Sequence, residues 1–129
     1  MQQPNQKRSC VFISGPYSGG ASGHGPQGYM LIEKNVFNAR KAMAELVRLG
    51  YFVFCAHTHS EHFEVITPEI GIDFWYELDL YFLQFCHALL RLDGESHGAD
   101  KEVEFCLDND IPVFYTIKDL AVNIPVFLS

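Results

Sequence analysis

The sequence is poor in positive charge and in long apolar segments. Its 129 residues include 9 lysines and arginines against 16 aspartates and glutamates, which gives a formal net charge of −7. Nucleic-acid backbones and anionic membranes attract clustered basic side chains, so neither is expected as a partner. No apolar segment is long enough to cross a bilayer, and the first residues lack the apolar core of a signal peptide. These absences predict a soluble, cytoplasmic protein with a small-molecule ligand.

The chain also lacks closely spaced cysteines. Its four cysteines all lie in apolar stretches: Cys10, Cys55, Cys86 and Cys106. No two of them are close enough in sequence to form a metal knuckle or a redox motif. The pattern is typical of reduced thiols in the core of a cytosolic protein, and no disulfide is expected.

Short apolar segments alternate with helical patterns along the chain. Strands are predicted at residues 10–14, 51–55, 88–92 and 111–115. Helices are predicted from an N-cap at Asn35 to a stop at Gly50, over 73–85, over about 99–107 and at 117–121, with irregular chain at 56–72. The alternation predicts one α/β domain over residues 1–129, with 1–8 as a flexible tail. Right-handed crossovers make the strands parallel, so ligands should bind at their carboxyl ends.

The loop after the first predicted strand is rich in glycine and reads SGPYSGG at residues 14–20. Glycines let the backbone approach a ligand and turn its amides towards it. No Gly-Lys-Ser/Thr ends the loop, so it is not a phosphate-binding P-loop. The pattern GHGPQG at 23–28 is interpreted as part of a cover loop, because a proline interrupts it. The predicted substrate-binding residues of this loop are Gly15, Pro16, Tyr17, Ser18 and Gly19.

Two carboxylates are the candidate catalytic residues. Asp79 lies in an aromatic helix between apolar neighbours, where burial would raise its pKa and prepare it for proton transfer. Glu102 lies in the first turn of the next helix and either points into the cleft or is a solvated acid favoured by the helix dipole. Just before it, Ser96 and Gly98 offer a hydroxyl and free amides for an anion or a sugar hydroxyl. Trp75 and Tyr76 are interpreted as core side chains, with a pocket wall as the alternative.

Histidines cluster after the second predicted strand, at His57, His59 and His62. Three imidazoles can bind zinc, but no cysteine or carboxylate follows at ligand spacing. We therefore favour a substrate contact by His57 and expect neither a metal nor a cofactor, with a zinc site as the alternative. No Ser-His-Asp order or activated cysteine is present. Two carboxylates beside a glycine-rich loop are typical of glycosidic-bond cleavage.

The motifs also resemble a known family. In order, they are FISGPYSG at 12–19, DLYFL at 79–83 and SHGADKE at 96–102. Over about residues 10–116 the chain resembles the nucleoside 2-deoxyribosyltransferase superfamily, and within it the small 2′-deoxynucleoside 5′-phosphate N-hydrolases. The resemblance implies a flavodoxin-like or Rossmann-like three-layer sandwich with a parallel sheet of four to five strands. It also implies a homodimer or larger homo-oligomer that completes its site across an interface.

The resemblance implies roles for the same residues. Glu102 would be the nucleophile at C1′ of the deoxyribose, and Asp79 would orient the substrate and protonate the base. Ser96 and Gly98 would contact the sugar or its 5′-phosphate. The chain departs from the family where tyrosine is replaced by Phe12, arginine by Ser18 and aspartate by His87.

The expected activity is cleavage of the N-glycosidic bond of a 2′-deoxynucleoside, as its 5′-monophosphate, by hydrolysis. Transfer of deoxyribose to a second base is the first alternative. A non-catalytic nucleotide-binding protein is a further alternative, made plausible by Phe12 on the first strand.

Overall fold

The computed structural model describes residues 7–17, 25–61 and 63–129. Within these residues, one parallel sheet has the strand order β2-β1-β3-β4. Its strands are β1 Cys10–Ser14, β2 Phe52–Cys55, β3 Ala88–Arg91 and β4 Val113–Phe114. Each lies inside a segment that the apolar pattern predicts as a strand, and the parallel arrangement is confirmed.

Six helices of the described residues connect and flank the strands. They are α1 Gly25–Leu49, α2 Ala56–His59, α3 Phe63–Ile66, α4 Ile72–Leu83, α5 His97–Asp108 and α6 Ile117–Asn123. None of them is long and apolar enough to cross a membrane. The stretch predicted as irregular between 56 and 72 therefore contains two single helical turns.

The two faces of the sheet carry two separate apolar cores. Strand residues alternate between the faces, so Val11 and Ile13 face one side and Phe12 faces the other. The first core packs against Leu46 of α1 and Leu120 of α6. The second contains side chains from α4 and α5, with Leu83 and Cys106 fully buried. Helices on both faces of a parallel sheet make three layers, which confirms the predicted fold class.

The first long helix begins earlier than predicted, at Gly25 rather than Asn35. Its buried stripe runs back through Val36 to Ile32, each 1% exposed, so the apolar periodicity continues upstream of the expected cap. A proline at 26 is compatible with this start, because first-turn amides have no intrahelical partner. Asn35 instead donates from its side chain to the carbonyl of Tyr17, at 2.8 Å. Residues 25–28 are therefore helical rather than part of a cover loop, while 21–24 lie outside the described residues.

The predicted stop at Gly50 is confirmed. Gly50 has φ +105°, a conformation that glycine adopts without steric cost. The amide of Tyr51 donates to Leu46 O at 3.1 Å, and the amide of Gly50 donates to Val47 O at 3.0 Å. This pair of bonds is a Schellman motif, which directs the chain from α1 into β2.

The two ends of the described chain lie side by side. Arg8 forms an antiparallel bridge with Phe127, and the amide of Leu128 donates to Lys7 O at 3.0 Å. The Arg8 guanidinium lies 5.7 Å from the Phe52 ring centroid and 4.7 Å from that of Phe127. Residues 1–8 were expected to form a flexible tail. Two of them, Lys7 and Arg8, instead pair with the C-terminal residues, and residues 1–6 lie outside the described residues.

Candidate active site

The carboxyl ends of β1 and β3 are adjacent in the sheet, with Ser14 paired to Arg91. The chain leaving β1 reaches α1 on one face, whereas the chain leaving β3 reaches α5 on the other face. Connections that diverge in this way leave a crevice between the strand ends, which is where open parallel sheets bind ligands. The loops after β1 and β3, in which substrate-binding residues were predicted, both begin at this point.

These two loops pack so closely that glycine is needed at two positions. A Cβ atom on Gly15 would lie 2.9 Å from the Cβ of Leu92. A Cβ atom on Gly94, which has φ +118°, would lie 2.9 Å from Cγ of Pro16. The first glycine therefore permits close approach of the loops, and the second also supplies a backbone conformation that other residues rarely adopt. The loops form one packed wall of the crevice.

Glu102 is buried beneath this wall, with only 8% of its surface exposed. It lies in the stripe of α5 that faces the sheet, between buried Ala99 and Cys106. The Ser14 hydroxyl donates to Oε1 of Glu102 at 2.6 Å. Glu102 is therefore not the solvated helix-start acid of the alternative interpretation.

Burial raises the pKa of Glu102 to about 8, and the negative charge of Asp79 acts in the same direction. The hydrogen bond from Ser14 and the positive charge of Arg91 oppose this shift. Desolvation favours the neutral acid, while the Ser14 donor favours the carboxylate. A small change in the local charge, such as the one that substrate binding would cause, can thus decide the protonation state of Glu102.

Asp79 reaches the crevice from α4. It is half-buried, and burial raises its pKa to about 7. Its charge acts on Glu102, so the two predicted catalytic carboxyls belong to one electrostatic site. Two such groups do not ionise independently, and at neutral pH the pair holds an acid and a carboxylate together.

Tyr76 lies between α4 and α5 at the same site. A Cβ atom on Gly98 would be 3.0 Å from the ring of Tyr76, and Lys101 Nζ lies 4.9 Å from the ring centroid. Burial raises the pKa of Tyr76, with further contributions from the charges of Glu102, Asp73 and Asp79. Tyr76 therefore borders the carboxyl pair, as a pocket wall would. The sequence signal for it was its position three residues before Asp79, on the same helical face.

Ser96 caps the start of α5. Its hydroxyl oxygen accepts from the amide of Ala99 at 3.0 Å and lies 3.5 Å from Gly15 O. The hydroxyl that was predicted to contact substrate thus fixes the helix start beside the first loop. The amides of His97 and Gly98 precede these bonds and lie at the same end of the helix as Ser96.

His57 packs against the loop that follows β1. It is 6% exposed, and its Nε2–H donates to the carbonyls of Gly15 at 3.1 Å and Pro16 at 2.8 Å. Burial lowers the pKa of His57, so the ring is neutral at physiological pH. The Tyr17 ring packs edge-on at 5.8 Å between centroids. His57 therefore orders the backbone of two predicted substrate-binding residues, Gly15 and Pro16, and packs against the ring of a third, Tyr17.

Ser14 and Arg91 are functional candidates that the sequence reasoning did not single out. Ser14 has the same orientation as Phe12, two residues earlier, and ends its strand at the crevice. Arg91 donates to the carbonyl of Leu92, to Gly94 O at 2.8 Å and to Asp100 at 3.4 Å. Because alternate residues of a strand face the same side of the sheet, the position of Ser14 two residues after Phe12 could have identified it as a site residue. Arg91 gave no signal beyond a charge at the end of an apolar strand.

Three of the predicted features fall where the structure describes no residues, and His59 packs in an aromatic cluster. Ser18, Gly19 and His62 lie outside the described residues. The His59 ring packs against Phe54 and Phe82, with centroids 5.3 and 5.7 Å away. Over residues 7–17, 25–61 and 63–129, no three histidine, cysteine or acidic side chains are grouped as metal ligands.

Phe12 belongs to the core instead of the site. Its ring stacks on that of Phe54 at 5.6 Å between centroids, on the face covered by α4 and α5. The position that carries tyrosine in the resembled family therefore provides only apolar packing. In this chain the hydroxyl beside the buried glutamate comes from Ser14.

Across α5 from the carboxyl pair lies an open groove of about 440 Å³. Arg91, Asp93, Leu107 and Tyr115 are among the residues that line it, and neither Glu102 nor Asp79 does. The groove shares Arg91, Leu92 and Gly94 with the loops of the crevice, but neither carboxyl lines it.

Comparison with known proteins agrees with this architecture. A family model described as "Domain of unknown function (DUF1937)" matches residues 9–117. Among solved structures, a 2-deoxyribosyltransferase from the psychrotolerant bacterium Bacillus psychrosaccharolyticus is similar, with a TM-score of 0.52 and 18% identity. The match covers 81% of this chain and 69% of that one, and it shows a shared fold. No curated protein matches the sequence.

Proposed function

The chain belongs to the DUF1937 family, and we propose that this member cleaves the N-glycosidic bond of a 2′-deoxynucleoside. The observation that carries the proposal is the buried carboxyl of Glu102, held by Ser14 at 2.6 Å and electrostatically coupled to Asp79. This pair lies at the divergence of β1 and β3, where the fold binds ligands. One solved structure of similar fold is described as a 2-deoxyribosyltransferase.

In the proposed reaction, Glu102 attacks C1′ of the deoxyribose or stabilises the cation that develops there. The bond between C1′ and the base nitrogen breaks, and the electron pair leaves with the base. Asp79 supplies the proton that the departing base needs. Water then attacks C1′ of the glycosyl-enzyme ester and gives a proton to the Asp79 carboxylate, which releases the sugar and restores the Glu102 carboxylate.

The proposed roles require the protonation of the pair to change when substrate binds. With a pKa of about 8 for Glu102 and about 7 for Asp79, the proton is held mainly by Glu102 near neutral pH. Ser14 donates to Glu102 and so favours its carboxylate form. A cation developing at C1′ would favour the same form, which leaves the proton on Asp79 for the base.

We further propose a 5′-monophosphate as the preferred substrate form and water as the acceptor. The capped start of α5 supports an anion near Ser96 and Gly98, because first-turn amides attract negative charge. Lys101 on the same helix adds a positive charge over Tyr76. The resemblance of Ser96-His97-Gly98 to the hydrolase loop favours hydrolysis over transfer to a second base.

A chromatographic assay for free base tests the proposal. The purified chain is incubated with each deoxynucleoside and each deoxynucleoside 5′-monophosphate, with and without a second base. Free base that disappears in Glu102→Gln, but persists in Glu104→Gln, supports the reaction, since Glu104 is exposed on the same helix. A new nucleoside in the presence of the second base would instead identify a transferase.

Release of no base from any substrate would contradict the enzymatic proposal. Tight nucleotide binding by calorimetry without turnover would then favour a binding protein, which the apolar packing of Phe12 makes the second candidate. A cytoplasmic location and assembly as a homodimer or larger homo-oligomer complete the proposal. Sedimentation at equilibrium tests the assembly, and a monomer would refute it.

A further inference from the structure

Two thiols that the proposed reaction does not use lie at the amino edge of the sheet, opposite Glu102. Sγ of Cys10 and Sγ of Cys86 are 3.6 Å apart, although the residues are 76 positions apart in sequence. Cys10 is the first residue of β1, and Cys86 lies in the turn between α4 and β3. Both thiols are free.

Main-chain hydrogen bonds hold the two segments together at this point. The amide of His87 donates to Cys10 O at 2.8 Å, and the amide of Cys10 donates to Nδ1 of His87 at 2.9 Å. The register of β1 and β3 pairs Val11 with Ala88, which sets Cys86 diagonally across from Cys10. Both side chains point to the core shared by α4 and α5. The sulfur contact is therefore a consequence of the strand pairing.

The separation of the sulfurs is short enough for a covalent bond after a small movement. A disulfide bond is about 2.05 Å long, so each sulfur would move by less than about 1 Å. The other two cysteines, Cys55 and Cys106, are 3% and 0% exposed.

The two thiols differ in their surroundings. Cys10 is partly exposed. Its hydrogen bond with the Cys86 thiol, in which either sulfur can donate, lowers its pKa, as does the backbone of Phe54, while burial acts in the opposite direction. Cys86 is buried, and its hydrogen bond to Cys10, together with burial, raises its pKa. An accessible thiol that is stabilised as thiolate is the form that reacts with peroxides. Cys86 is the adjacent thiol that can complete a disulfide.

We propose that Cys10 and Cys86 are a redox-modification site that forms a reversible intramolecular disulfide with hydrogen peroxide. The Cys10 thiolate attacks one peroxide oxygen, which gives a sulfenic acid and releases hydroxide. The Cys86 thiol then attacks the Cys10 sulfur, forming the S–S bond and releasing water. Two thiols are oxidised and one peroxide is reduced to two water equivalents. Transient disulfides of this kind are the ones found in reducing compartments.

The disulfide would connect elements that also carry the carboxyl site. Cys86 follows the end of α4, the helix of Asp79, and Cys10 begins β1, the strand that ends at Ser14. The bond closes a loop of 76 residues and so restricts the unfolded chain. We therefore expect the oxidised protein to melt at a higher temperature than the reduced protein.

Peptide mapping of the full chain tests the site. The reduced protein is treated with a modest excess of hydrogen peroxide, alkylated, digested without reductant and analysed by mass spectrometry. The expected result is a peptide pair linked through Cys10 and Cys86, with loss of two of the four free thiols and full recovery with dithiothreitol. Cys55→Ala, a matched buried control, should retain this link.

A second variant, Cys86→Ala, tests the proposal independently of any folding defect in Cys55→Ala. In Cys86→Ala the link should be absent, and dimedone should trap the sulfenic acid on Cys10, with circular dichroism confirming the fold. Linkage through Cys55 or Cys106, links only between chains, or four free thiols after peroxide treatment would each overturn the proposal. None of these outcomes depends on the proposed glycosidase activity.

Discussion

Replacing Glu102 by glutamine should stabilise the folded chain at alkaline pH. The carboxyl has an ordinary pKa of 4.5, and burial raises it to about 8 in the folded protein. Between these two values the unfolded chain releases this proton while the folded chain retains it. The folded state then binds more protons than the unfolded state, so the free energy of unfolding falls as the pH rises. Glutamine has no proton to lose and removes this dependence.

The expected size of the effect follows from the two pKa values. A difference of one pKa unit corresponds to about 1.4 kcal/mol. Between pH 5 and pH 8 the wild-type chain should therefore lose on the order of 3–4 kcal/mol relative to Glu102→Gln. Domains are commonly stable by only about 5–15 kcal/mol, so such a change is readily measured. Near pH 5 both forms present a neutral side chain to Ser14 and should differ little.

Urea denaturation at several pH values between 5 and 9 measures this difference. Trp75 is the only tryptophan of the chain and lies on α4, so its fluorescence reports unfolding near the site. Glu104→Gln removes an exposed carboxyl from the same helix and should follow the wild type. Parallel curves for the wild type and Glu102→Gln over this range would refute the reasoning, because Glu102 would then be ionised in the folded protein.

Three further perturbations test other parts of the site. Ser14→Ala removes a hydrogen bond to a charged group, worth about 1.5–3 kcal/mol, so base release should slow by roughly 10- to 100-fold. Because this bond lowers the pKa of Glu102, the rising limb of the pH–rate profile should move to higher pH, and an unchanged profile would contradict the role. Gly94→Ala should lower stability by about 1–3 kcal/mol in thermal denaturation, because its φ is +118°. Gly71→Ala, with nothing within 4 Å of its Cβ, should change stability little, and equal effects would argue against strain at the loop. Tag-free protein should contain far less than one zinc per chain by elemental analysis, because residues 7–17, 25–61 and 63–129 hold no group of three histidine, cysteine or acidic ligands; one bound zinc would restore the metal hypothesis.

The apolar pattern was sufficient to predict the sheet. Each strand is a short apolar segment between polar or glycine-rich chain, and β1 and β3 are buried almost throughout because helices cover both faces of the sheet. The start of α1 was missed because glycines at 25 and 28 and a proline at 26 are typical of loops. Tertiary packing of Ile32 and Val36 overrides that local preference.

The candidate site was only partly predictable. Asp79 stands out because a charge in an apolar helix is unusual. For Glu102 the sequence left a solvated helix-start acid open, and the structure shows this residue buried. The contact of Ser14 with Glu102 spans 88 residues, so it depends on which strand lies beside which helix. The same holds for Cys10 and Cys86, which looked like unrelated core thiols in the sequence. Long-range register, rather than composition, decides such pairs.

The pairing of Arg8 with Phe127 has a consequence for engineering the chain. It brings the two described ends together beside the start of β1. Five residues of strand, about 16 Å, separate this edge from the crevice at Ser14. A short peptide could join the ends, and new termini could be opened at the exposed turn around Gly71. Fusion partners, surface tethers and circular permutants built at these ends would leave the carboxyl edge of the sheet open to solvent.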